Sequence, residues 1–220
     1  MNFYFPIFGL FLIFVIWQTY ERKKSERQAT TQSNDFWTKE SEANNVRRKS
    51  LDNEDYITIS DNLLIKNLLP NGPYDEELIE LSDTLEGLIP KRILNLTGKT
   101  STDLKTIYGV ANLNEVTSYD DNYTLMATTI ARYGSKLIEL GLTKEATYVL
   151  EFGIDSLSDV SSNYKHLATL YMAQNQPEKI DYLIETAKKL DSLMKNSIIR
   201  NLESIKEDNA INSTSSHAQE

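Results

Sequence analysis

Chemistry in this chain would have to come from a few residue groups, and spacing decides each. NLTGKTS, residues 95–101, contains the Gly98-Lys99-Thr100 triplet that phosphate-cradling loops use. Such a loop needs a further glycine five residues before Gly98, and Ile93 stands there, with no apolar strand leading in. Asp155 and Asp159 share a helix face at i,i+4, but two carboxylates near a helix end are more often solvated than metal-bound. His166 is the one histidine outside the C-terminal tail, which leaves neither a histidine cluster nor a serine triad. Asp75, Glu76 and Glu77 follow Pro73, the arrangement of a helix first turn where the dipole favours acids. These readings imply no catalytic residue, no metal and no cofactor, and a chain that is not an enzyme.

What the chain has instead is regular spacing. Residues 127–160 and 161–194 are two stretches of the same length that fit one template: Tyr133, Gly134 and Leu137 align with Leu167, Ala168 and Tyr171. Further along, Gly141 aligns with Asn175, Ala146 with Ile180, Leu150 with Ile184, and Gly153 with Ala187. Tyr148/Tyr182, Glu151/Glu185 and Ser158/Ser192 are identities. A 34-residue period with small residues at fixed offsets predicts stacked helical hairpins. Gly134 and Ala168 mark close helix crossings; Gly141 and Asn175 mark turns that need a left-handed residue. Pro177 suits the first position of the next helix. Before the repeats, the apolar stripe Tyr74, Leu78, Leu81, Leu85 and Leu88 predicts a helix over 74–88, and Asp120, Asp121 or Asn122 can cap the long helix running to Gly141. After them, Ile198, Ile199, Leu202 and Ile205 predict a capping helix over 197–206, and residues 208–220 read as a disordered tail.

With its period, small residues and turn chemistry, this pattern resembles the tetratricopeptide repeat. The resemblance implies an all-α fold, a small solenoid spanning 73–207, with a concave groove lined by the first helix of each pair. Carried over residue by residue, the groove positions are Thr128, Ala131, Arg132 and Ser135 in the first copy and Ser162, Lys165, His166 and Thr169 in the second. They are small, polar or basic, which suits an extended or acidic peptide. The lysine and asparagine set of the family's carboxylate clamp is not reproduced.

The N-terminus reads differently. Phe3 to Trp17 is uncharged and almost wholly apolar. Fifteen helical residues rise only ~22 Å against a hydrocarbon core of ~30 Å, so the expected single transmembrane helix extends over 1–20, with Trp17 and Tyr20 at the interface. No basic residue precedes the run and ERKKSERQ follows it, which disfavours a cleaved signal and points to a cell-membrane, single-pass protein with its C-terminal domain cytoplasmic. Residues 21–34 read as a basic juxtamembrane tether. Residues 35–72 read as a short helix over 35–49, a brief extended piece at 57–59 and a loop. Within them Phe36, Trp37, Arg47 and Arg48 form a candidate docking segment.

Charge follows the same division. Residues 1–50 carry eight Lys/Arg and five Asp/Glu, net +3; the remaining 15 basic and 27 acidic residues give −12. A chain this acidic, with no basic stripe, excludes nucleic acid as a partner. The absence of cysteine excludes a disulfide framework. The partners expected are a protein or peptide and, through the N-terminal helix, the lipid bilayer. FWTKESEANNVRRK, NLTG, YGVANL and YDDNYT, together with the repeats, make the chain similar to membrane-anchored repeat proteins of Gram-positive bacteria. Two function classes follow: a membrane-anchored adaptor presenting its groove to the cytoplasm, or a structural subunit of a membrane-associated complex or homo-oligomer.

Overall fold

The structure, a computed structural model, describes residues 4–52, 54–72 and 75–217, and the side chains within them except those of 4–12 and 209–217. Among these residues the fold is all-α, without a strand. The helices are α1 (Tyr4–Asn44), α2 (Ile65–Leu68), α3 (Glu76–Glu86), α4 (Ser101–Tyr108), α5 (Leu113–Glu139), α6 (Thr143–Asp155), α7 (Ser161–Ala173), α8 (Lys179–Ala187) and α9 (Lys195–His217). Single 3-10 turns lie at Asp61–Leu63 and Val110–Asn112. The chain divides into two units, residues 1–49 with 100–113, and residues 50–99 with 114–220.

In the first unit, α4 starts where its sequence stops it from starting earlier. Thr100 and Asp103 form a reciprocal capping box, each side chain satisfying the other's backbone N–H. The end of α1 packs on α4 through the buried Ala43 and through Glu40, which accepts from Thr102 Oγ1 at 2.7 Å and from the Lys105 ammonium. That ammonium, then the Thr102 hydroxyl, hold the Glu40 carboxyl below its ordinary range. Asn112, fully buried, donates to the carbonyls of Lys49 (2.6 Å) and Tyr108 (3.0 Å) and accepts from Arg48 Nε (2.8 Å). Gly109 has φ +82°, and a Cβ there would lie 2.4 Å from the Arg47 carbonyl oxygen, so no other residue fits.

The second unit is built from helical hairpins around one core. Tyr133, Leu137, Ala146, Leu150, Tyr164, Leu167, Tyr171, Ile180 and Leu183 are all at most 1 % exposed. Burying each of the leucine and isoleucine side chains among them stabilises the fold by about 1.5–3 kcal/mol before conformational entropy is subtracted. Helices α5 and α6 cross so closely that a Cβ on Gly134 would sit 2.4 Å from Leu150 Cδ2, and one on Gly153 2.9 Å from Ile130 Cγ2. Three helices end in the same way. The C-terminal residues Gly141 (φ 76°), Leu157 (φ 56°) and Asn175 (φ 56°) are left-handed. The following N–H in each case reaches back to an orphan carbonyl: Leu142 to Leu137, Ser158 to Gly153, Gln176 to Tyr171. The repeated serines act alike, Ser158 Oγ accepting from Val160 N at 3.3 Å and Ser192 Oγ from Met194 N at 3.1 Å, each just before a new helix.

Among the described residues no helix is long and apolar enough to cross a membrane, so the transmembrane anchor over 1–20 is not upheld, and the single-pass localisation with a cytoplasmic domain falls with it. The physical reason is length: the apolar run is short of a span, and from Gln18 onward the same helix is polar and charged. Residues 1–3 and the side chains of 4–12, on which part of that expectation rests, lie outside the described residues, as do Pro73 and Tyr74. Helix α1 continues without a break through 21–34, read as a tether, and ends at Asn44. Residues 57–59 form no strand; Ile57 N donates to Ile93 O at 2.9 Å. The loop expected after them contains α2. Helix α5 begins at Leu113, so Asp120–Asn122 lie inside it; Asp120 accepts from Leu96 N at 3.0 Å and Asn122 Nδ2 donates to Arg92 O at 3.0 Å. Pro177 sits in the turn ahead of α8, which starts at Lys179. Helix α9 runs to His217, through much of the expected tail.

Candidate functional site

Residues that sequence singled out for chemistry are occupied by structure. Gly98 has φ +83°, and a Cβ there would strike the Asp191 carbonyl oxygen at 2.1 Å; Lys99 Nζ meets Asp191 Oδ2 at 2.9 Å. The Gly-Lys-Thr triplet is thus a turn closed by a carboxylate and the start of a capping box. Asp155 and Asp159 are used separately, the first accepting from the Tyr182 hydroxyl and the second from the Ser192 hydroxyl. Among the described residues no His, Cys, Asp and Glu side chains gather to hold a metal.

The surface between α5 and α7 is the candidate site. Thr128, Ala131, Arg132 and Ser135 project from α5 at three- and four-residue spacing, which places them on one face. Ser162, Lys165, His166 and Thr169 do the same on α7. Gly134 and Gly153 let α6 pack closely behind α5, leaving this face to solvent. Ala131, Arg132, Ser135 and Ser162 come together around an open cavity of about 230 Å3, joined by Glu77, Lys136 and Glu139. Ser135 Oγ and His166 Nδ1, 3.3 Å apart, link the two helices at its edge. Thr128, Lys165, His166 and Thr169 lie outside the cavity lining. Thr128 and Thr169 donate their hydroxyls to carbonyls of their own helices, to Thr124 at 2.8 Å and Lys165 at 2.9 Å.

Electrostatically the cavity is mixed. Arg132 Nη2 lies 3.2 Å from Glu77 Oε1, and Lys136 Nζ lies 3.3 Å from Glu77 Oε2 and 3.4 Å from Asp75 Oδ2. Glu77, then Asp75, hold the Lys136 ammonium above its ordinary range. The first turn of α3, anchored by Asp75 accepting from Glu77 N at 3.0 Å, is what carries these acids to α5. Lys136, Glu139, Glu77 and Asp75 were not among the sequence candidates. Lys136 was findable, one turn from Arg132 on the same face. Glu77 was not, since 55 residues separate it from Arg132.

Of the residues of the expected docking segment, Phe36 and Trp37 lie on α1, and Arg47 and Arg48 follow its end. Phe36 and Trp37 stack edge to face at 5.4 Å on α1, 52 % and 64 % exposed. Arg48 is tied to Asn112, and the Arg47 carbonyl lies under Gly109, so both belong to the packing at the end of α1.

No family model matches the chain, and no curated protein or solved structure matches it.

Proposed function

We propose that the chain is a protein-interaction scaffold of tetratricopeptide type, without catalytic activity, which holds an extended peptide bearing acidic side chains across α5 and α7. The observation that carries this reading is the cavity where Ala131, Arg132, Ser135 and Ser162 converge from two successive hairpins. Hydroxyls and cations on rigid helices, with small side chains between them, leave room for a peptide backbone and offer donors to carboxylates. Lys165, exposed and without an ion pair among the described residues, extends the basic edge. The test is a spotted array of eight-residue peptides graded from acidic to basic, probed with the full chain and with the Arg132→Glu/Lys165→Glu variant. The reading expects acidic peptides to be retained by the parent chain and released by the variant. Equal retention by both, or retention without regard to charge, contradicts it.

A second reading, a structural subunit, is favoured by one observation. Ile13, Phe14, Ile16, Trp17 and Tyr20 on α1 are more than half exposed, and Phe36 and Trp37 with them. Light scattering of the full chain over a range of concentrations distinguishes the two: the scaffold reading expects a monomer, the subunit reading a defined oligomer.

A further inference from the structure

Resting on the groove reading, we infer that the first turn of α3 is an internal competitor for the acidic ligand. Glu77 places one carboxylate oxygen on Arg132 and the other on Lys136, while Asp75 adds a second acceptor to Lys136. These are the two cations that line the cavity, and Glu77 lines it beside them. The turn therefore does to the groove what a bound acidic peptide would do. It is held in register by its own cap, Asp75 accepting from Glu77 N, and by Leu78, Leu81 and Leu85, buried in the same core as α5.

An arriving carboxylate must exchange with Glu77 to reach Arg132 or Lys136. The exchange at Arg132 is easy, because the Arg132 and Glu77 side chains are 60 % and 41 % exposed and exposed pairs are weak, whereas Lys136, 20 % exposed, is held more firmly by Glu77 and Asp75. The turn tunes the groove down and does not close it. It also selects: a lone acidic side chain gains nothing by replacing Glu77, whereas a peptide presenting several carboxylates can engage Lys165 as well and win the exchange.

Glu139 supplies the control. It lines the same cavity, carries the same charge and makes no ion pair among the described residues. The experiment is fluorescence anisotropy of a labelled Asp/Glu-rich octapeptide with the full chain, Glu77→Gln and Glu139→Gln, at fixed moderate salt, with circular dichroism confirming that each is folded. Glu77→Gln is expected to bind about three- to fivefold tighter than the parent, the effect of freeing Arg132 and leaving Lys136 with Asp75 alone, and Glu139→Gln less than about twofold tighter. Equal gains in the two variants mean a background effect of charge and overturn the competitor while leaving the groove. Unchanged affinity in Glu77→Gln overturns it likewise. If no chain binds the peptide, the groove reading itself fails and the competitor with it.

Discussion

The two hairpins of the second unit follow one path with different residues. In α5–α6 the crossing pairs Gly134 with Leu150, whose Cδ2 fills the space a Cβ would take; at the aligned positions of α7–α8 stand Ala168 and Ile184, both buried. Leucine carries its branch one carbon further out than isoleucine, so the pair with the longer reach faces the smaller partner. The turns differ in the same spirit, glycine at 141 and asparagine at 175, both left-handed. What repeats is the backbone requirement, met by total volume and by permitted φ, and the residue identities are free to drift around it.

The largest expected effect tests the shared core. Burial pushes the phenols of Tyr133 in the first hairpin and Tyr164 and Tyr171 in the second well above their ordinary range, with Glu151 adding to Tyr171. A pKa raised on folding means that the native state binds the proton more tightly. This stability is fully present below about pH 10, the unfolded value, and is lost as pH rises beyond it. Urea unfolding from pH 8 to 11.5 should therefore show a steep fall above pH 10; a flat profile would contradict the burial of these hydroxyls.

Next comes the crossing itself. Gly134→Ala should destabilise by about 1–3 kcal/mol through overpacking against Leu150. Adding Leu150→Ile, the combination of the second hairpin, should recover at least half of that loss; additive losses would show that the two crossings are not equivalent. The turns give smaller effects. Nothing lies within 4 Å of a Cβ on Gly141, so Gly141→Ala isolates the left-handed penalty, about 1 kcal/mol of lost stability by chemical denaturation. Asn175→Gly should change stability least, a gain of a few tenths of a kcal/mol as the same penalty is relieved. A loss there would mean that the Asn175 side chain supports the turn.

The hairpins were legible because their signals are local: small residues at a fixed period, and a glycine or asparagine where helices stop. Leu157 escaped notice because a leucine gives no warning of a positive φ. Asp120 misled for the opposite reason. It has the chemistry of a cap, but burial inside α5 directs it to Leu96 N, and desolvation raises its pKa. The continuous α1 was missed because residues 21–34 have no apolar period, and the apolar run ahead of them invited a membrane reading that its length does not sustain. In the groove, helical spacing on α5 and α7 brings Ala131, Arg132, Ser135 and Ser162 within sight of the sequence. The carboxylates that neutralise Arg132 and Lys136 arrive from α3, by a tertiary contact that no local pattern encodes.

The most direct measurement is an amide chemical-shift titration of the full chain, 15N-labelled, with the acidic octapeptide. The account predicts that shifts concentrate at Ala131, Arg132, Ser135 and Ser162, with a second set at Glu77 as its contact is exchanged. Shifts confined to α1, or scattered without saturation, would contradict it.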